Sequence, residues 1–183
     1  MIPVEAIAVI GAGTAGRAFA LACARAGYRV ALEDVMPEKL RRAQDEYSVV
    51  AGAMTGSLRY ATTVEGAVED ADLAVDFVPD ELESKLEIFS LLDRMAPPRT
   101  ILVTPTNALS ITDLASCTYR ADRCVGVRGT FPLAGDAALM RSKFLNDEVE
   151  AAVIEVWNRL GVSVPVVEDV EPMLVKNLPE QRR

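Results

Sequence analysis

Apolar residues fall along this chain in short unbroken runs, and the segments between the runs carry apolar residues at helical spacing. Val4 to Ile10 is apolar apart from Glu5, as expected of a strand covered on both faces. An alanine-rich helix from Ala15 to Ala26 follows, Gly27-Tyr28 turns the chain, and Arg29 to Leu32 reads as a second strand. From Glu38 to about Ala53, Leu40, Ala43 and Tyr47 share one helical face, and Pro37 stands early, where its missing N–H is not needed. Leu58 to Thr62 is a short third strand, Thr63 toward Asp70 a short helix, and Leu73 to Val78 a fourth strand. Leu82, Leu86, Phe89 and Leu92 or Met95 mark a helix from Glu81 to Met95, which Pro97-Pro98 stops. Thr100 to Val103 is a fifth strand and Ser110 to Leu114 a single turn or short helix. Asp122 to Val127 then reads as a strand, Asp147 to Leu160 as a long helix, and Val162 to Val167 as a last strand. Pro165 cannot donate to a ladder, so that strand belongs at an edge or pairs on one side there.

Regular alternation of strand and helix predicts an α/β fold of the Rossmann type, a doubly wound, mainly parallel sheet in a single domain. At 183 residues the chain fits one such domain, residues 1–168, with a short C-terminal tail, residues 169–183. Ligands of such sheets bind beyond the carboxyl ends of the strands, so the loops after Ile10, Val78, Val103 and Val127 are expected to line the site.

The first of these loops carries the chemistry. Gly11-Ala12-Gly13-Thr14-Ala15-Gly16 is G-x-G-x-x-G, set between a strand and a helix. Gly11 permits the tight turn, Gly13 removes a Cβ that would keep a pyrophosphate away, and Gly16 lets the helix pack closely. The helix that starts near Thr14 aims free N–H groups and its positive dipole end at the phosphates. Asp34, about twenty residues after the first glycine, is placed to accept hydrogen bonds from the adenosine ribose hydroxyls, and a carboxylate there disfavours a 2′-phosphate. Glu33 offers the same chemistry, but Asp34 stands nearer the strand end. The expected ligand is therefore a nicotinamide dinucleotide, NAD (or NADH) rather than NADP.

Half the residues are apolar and a quarter are charged, the profile of a soluble globular protein. A formal net charge of −8 argues against nucleic acid or an anionic membrane as partner. No signal segment or membrane span is read in the sequence, which predicts a cytoplasmic protein. Cys23, Cys117 and Cys124 lack metal-ligand spacing and read as packing residues, so no metal is expected. The chain has no histidine, so an imidazole base must come from elsewhere or not at all.

From Ile7 to about Leu178 the sequence resembles the NAD-binding domain of the 3-hydroxyacyl-CoA dehydrogenase family. The likeness rests on Ile10-Gly11-Ala12-Gly13-Thr14 with Gly16-Arg17, Asp34-Val35 with Pro37-Glu38, Asp70-Ala71-Asp72-Leu73, and Val78-Pro79-Asp80 with Lys85. Leu109-Ser110-Ile111-Thr112, Arg123 with Val125-Gly126, Pro132, and Leu160-Gly161 with Asp169 continue it. The resemblance implies oxidation of the 3-hydroxyl of an acyl-CoA by hydride transfer to NAD. It implies a serine and a histidine at the hydroxyl, a glutamate orienting the histidine, and a later asparagine. It also places Val78, Pro79, Asp80 and Lys85 on the ribose and nicotinamide side of the cofactor.

Carried over by position, the proton-handling residues are replaced. The serine's place is held by Asn107 of Pro105-Thr106-Asn107-Ala108, the histidine's by Arg128, the glutamate's by Met140 and the asparagine's by Lys176. Arg128 stays protonated at any working pH and cannot accept a proton from an alcohol. The first expectation is thus a family member that binds NAD(H) without the usual dehydrogenation, a pseudoenzyme. A second is an active oxidoreductase on a small hydroxy or keto acid or an acyl-CoA. It would use Lys176 with Asn107, as related β-hydroxyacid dehydrogenases and ketopantoate reductase pair a lysine with an asparagine, while Arg128 clamps a carboxylate or a CoA phosphate. The bland alternative makes Lys176 a solvated tail lysine, Asn107 a loop residue bonding its own backbone, and Arg128 a partner of Asp136 or another surface acid. A third expectation, from the apolar strip Met173-Leu174-Val175, is half of a split enzyme, or a homodimer or partner subunit held through the tail.

Overall fold

The structure, a computed structural model, describes residues 2–130 and 136–174. Fourteen elements follow in chain order: β1 Ala6–Ile10, α1 Thr14–Arg25, β2 Arg29–Glu33, α2 Pro37–Val50, β3 Ser57–Ala61, α3 Val64–Val68, β4 Leu73–Asp76, α4 Leu82–Met95, β5 Ile101–Pro105, α5 Ile111–Ser116, β6 Cys124–Arg128, β7 Ala138–Arg141, α6 Asp147–Arg159 and β8 Val166–Glu168. Single 3₁₀ turns at Ala51–Ala53 and Ala121–Arg123 extend α2 and precede β6.

The strands form one sheet in the order β3-β2-β1-β4-β5-β6-β7-β8. All neighbours are parallel except β6 and β7. The order reverses between β1 and β4, so a crevice opens beyond the carboxyl end of β1. β1 lies inside the sheet with all five residues buried, whereas edge strand β3 alternates between exposed and half-buried positions before ending on buried Ala61.

Two apolar layers fasten helices to the faces. Val9, Leu32, Val75 and Val103 share one face with Phe19 and Cys23 of α1 and Val153 and Trp157 of α6. The Phe19 and Trp157 rings stand 5.7 Å apart. Ala8, Ala74 and Leu102 pack on the other face against Val68, Phe89, Leu92 and Leu114 of α3, α4 and α5. Burying each large side chain of this kind contributes about 1.5–3 kcal/mol. Helix starts follow local chemistry: Ser110 Oγ accepts from the Asp113 amide at 3.2 Å, Asn146 Oδ1 from the Glu148 amide at 2.8 Å, and Pro37 opens α2.

The doubly wound architecture is as the pattern predicts, and β8 is an edge strand, but it runs from Val166 to Glu168 rather than from Val162 to Val167. Pro165 stands just outside it, its carbonyl accepting from the Leu139 amide at 2.9 Å. Several details differ, among them the fifth strand, which runs Ile101–Pro105 rather than Thr100–Val103. β7 went unpredicted because it is four residues long and exists only through its antiparallel ladder with β6, a long-range pairing without local signal. The fourth strand stops at Asp76 rather than Val78, and β6 runs to Arg128 rather than Val127. Cys117 is exposed, not packed, while Cys23 and Cys124 are buried, and burial pushes the Cys124 thiol up to about 12.

Candidate functional site

The glycine turn is built from both flanks. Gly11 adopts φ +101°, open to glycine at little strain, and its amide donates to the Glu33 carbonyl at 2.8 Å, tying the turn to β2. A Cβ on Gly16 would lie 1.9 Å from the Gly11 carbonyl oxygen, so only glycine lets α1 seat directly on the turn. Gly13 is different: a Cβ there meets nothing within 4 Å, and the space above it is open. α1 begins with no side-chain cap, so the amides of Thr14, Ala15 and Gly16 have no acceptor within the helix. The first intrahelical bond is from the Arg17 amide to the Gly13 carbonyl at 2.9 Å. Free amides, the dipole of a twelve-residue helix and open space above Gly13 together fit a pyrophosphate.

Ala12 is held at both backbone atoms. Its amide donates to Asp34 Oδ2 at 2.8 Å, and its carbonyl accepts from Arg17 Nη1 at 3.0 Å. Arg17 Nε in turn meets the Glu46 carboxylate of α2 at 3.1 Å, an anchor that no sequence motif announced. Asp34 is 6% exposed. Its Oδ1 accepts from the Met36 amide at 2.9 Å, and the Lys39 ammonium lies 3.3 Å from Oδ2. Burial alone would raise its pKa, but the Met36 and Ala12 amides and Lys39 outweigh that and hold the carboxyl below its ordinary range. A carboxylate has about four acceptor positions, so with the Ala12 and Met36 amides and Lys39 in place one remains, on Oδ1, for a hydroxyl. Glu33 behaves oppositely: burial, then the neighbouring Asp34 charge, push its carboxyl up to about 7.

Toward β4, β5 and β6 the sequence-predicted residues divide. Lys85 is 1% exposed and pairs at 2.7 Å with the fully buried Asp76. The pair binds α4 to the end of β4, and an acid closing the otherwise apolar run Leu73–Asp76 was the available signal. Val78 and Pro79 form the loop that leaves β4, and Asp80 beyond them is exposed. Asp80 Oδ2 accepts from the Asn107 amide at 2.9 Å, and Asn107 Oδ1 accepts from the Gly129 amide at 3.1 Å, so one chain of bonds joins the loops after β4, β5 and β6.

Arg128, half-buried at the end of β6, sends Nη2 to Met140 Sδ at 3.3 Å. Met140, on β7, is fully buried. Arg128 Nε is buried with no hydrogen-bond partner, and Asp136 is occupied elsewhere, accepting from the Thr130 amide and hydroxyl at 3.3 and 3.1 Å. The expected Arg128–Asp136 pair is therefore not formed. Lys176, Val175 and Pro132 lie outside the described residues, whereas Met173 and Leu174 are exposed. The segment after β8 is tied to α5: Asp169 accepts from the Ser110 hydroxyl and the Ile111 and Thr112 amides, and Asp113 from the Met173 and Leu174 amides. No described helix is long and apolar enough to cross a membrane.

The family model described as 3-hydroxyacyl-CoA dehydrogenase, NAD binding domain, matches residues 6–134. The chain belongs to that family. NAD(H) is its cofactor, in keeping with the glycine turn. Among its relatives, 3-hydroxyadipyl-CoA dehydrogenase of Escherichia coli K12 is 30% identical over 93% of this chain and 35% of that protein. The 3-hydroxybutyryl-CoA dehydrogenase of Bradyrhizobium diazoefficiens is 29% identical over 96% of this chain and 65% of that protein. The crystal structure of 3-hydroxybutyryl-CoA dehydrogenase from Escherichia coli K12 superposes with a TM-score of 0.79 at 27% identity, covering 91% of this chain and 38% of that one. The chain thus spans about a third to two thirds of the length of these relatives.

Proposed function

We propose that this dehydrogenase-family domain holds NAD(H) across the β1–β4 switch point and does not carry out the base-assisted oxidation of a 3-hydroxyacyl-CoA. The amides of Thr14, Ala15 and Gly16 take the pyrophosphate over β1, and Asp34 at the end of β2 takes an adenosine ribose hydroxyl. The nicotinamide half then extends the other way along the strand order, past Val78 and Pro79, to Asp80 and Asn107 at the ends of β4 and β5. When bound, the nicotinamide supplies a two-electron hydride acceptor or donor. What this chain adds beside it is a fixed cation and an amide, with no group that takes a proton from an alcohol at neutral pH among Asn107, Arg128 and Met140.

The observation that carries this reading is the contact of Arg128 Nη2 with Met140 Sδ. The two positions where the resemblance expects an imidazole and its orienting carboxylate are neighbours across the β6–β7 ladder, and here they hold a permanent cation and a thioether. Calorimetry with NADH, paired with an NADH-oxidation assay on acetoacetyl-CoA, tests it. Micromolar binding without turnover is expected, and steady turnover at ordinary enzyme concentration would refute the catalytic half of the reading. Gly13→Ala should leave the melting temperature unchanged, because its methyl has space, yet weaken NADH at least tenfold by entering the pyrophosphate's position.

A further inference from the structure

We infer that Arg128 is the anchor for a carboxylate at the nicotinamide end of the crevice, so that the second ligand of this domain is a small organic acid. The inference rests on the proposed NAD(H) reading for its location, but its evidence is separate. The chain has 27 acidic side chains against 19 basic ones, so a covered arginine has ample choice of internal partner. Arg17 meets Glu46, Arg120 meets Asp93, and Arg141 meets Asp147 and Glu150. Arg123 gives its guanidinium to the Arg99 carbonyl at 3.2 Å. Arg128 meets no carboxylate or carbonyl among the described residues. Its Nη2 faces only a thioether sulfur, a weak acceptor, and its buried Nε has no acceptor.

An unpaired guanidinium at a half-buried position is unfavourable until an acceptor arrives. The acid placed to neutralise it, Asp136, is instead spent on Thr130. The neighbouring donor is Asn107: its Oδ1 is taken by the Gly129 amide, which leaves its Nδ2 hydrogens free in the same loop cluster. The Nη edge of the guanidinium, which the buried Nε leaves as its reachable side, and the Asn107 amide NH₂ of the adjoining loop suit a planar carboxylate held by charge-assisted hydrogen bonds.

The test is a titration of the whole chain with acetoacetate and with its neutral methyl ester, each in the presence and absence of NADH, with coenzyme A as a separate phosphate source. Acetoacetate is expected to bind at least tenfold more tightly than the ester. In Arg128→Met that preference should vanish, and in Arg128→Lys it should fall without disappearing, because an ammonium keeps the charge and loses the fork. Equal affinity for acid and ester in the unaltered chain overturns the inference, a result that needs no variant to fold. A preference that survives Arg128→Met also overturns it, as does an Arg128-dependent affinity for coenzyme A with none for the acid. If NADH fails to bind while the acid preference remains, the cofactor reading fails and the carboxylate anchor stands. If NADH binds and no preference exists, the reverse holds.

Discussion

The two ends of the crevice are built by opposite rules. On the β1–β2 side the groups that frame the open helix amides are already held: the Ala12 amide and carbonyl are both claimed, Arg17 is anchored to Glu46, and Asp34 is set by two amides and Lys39. On the β6 side Arg128 is left with a sulfur and an empty Nε. Preformed partners fix a group's direction before the ligand comes, which suits a cofactor of constant shape. A charge left without a partner keeps its hydrogen bonds for whatever arrives. The difference teaches that the cofactor half is specified by the fold, while the other half is specified by its ligand.

That contrast can be broken by substitution, and the largest effect should come from the buried pair between α4 and β4. Lys85→Met leaves Asp76 buried without its cation and should cost about 3–5 kcal/mol in chemical denaturation, most of which the double change with Asp76→Leu should return. Next comes Gly16→Ala, whose methyl meets the Gly11 carbonyl oxygen at 1.9 Å. About 1–3 kcal/mol of stability should be lost, with NADH affinity lost along with it, because α1 must lift off the turn. Stability alone, with affinity kept, would show that the turn yields independently of the helix.

The third expectation concerns pH. Glu33 binds its proton more tightly folded than unfolded, so its contribution is fully present below about pH 4.5 and is lost as pH rises toward about 7. Urea midpoints should therefore fall over that interval. Glu33→Gln should flatten the fall and recover roughly 1–3 kcal/mol at pH 8. A profile identical to that of the unaltered chain would remove Glu33 from the account. The smallest effect belongs to the other side of the comparison. Arg128→Met exchanges a half-buried unpaired cation for an apolar chain of similar reach and should raise stability slightly, by up to about 1 kcal/mol. A clear loss instead would mean that Arg128 is structural, and the contrast drawn above would collapse.

The cofactor half was legible because its signals are local. Glycines at three fixed offsets, a strand before them, a helix after them and an acid ending the next strand all lie within Ala6–Asp34. The sheet order was legible only as a class. What the sequence did not disclose depends on register between distant segments: β7 exists through its pairing with β6, and that same pairing brings Met140 beside Arg128. The direction of Lys85 was hidden for a related reason. Its spacing after Val78-Pro79-Asp80 is compatible with a crevice-facing lysine or an inward one, and only the position of α4 over β4 sends it to Asp76. Arg17 gave no warning at all, because its acid partner Glu46 is 29 positions away on another helix.

The bonds from Asn107 to Asp80 and from Gly129 to Asn107 make three separate loops share one hinge line. Solvent exchange at the Asn107 and Gly129 amides should consequently slow together when either neighbour is engaged. An isotope label on Gly129 alone would then register an arrival at Asp80, two strands away, without touching it.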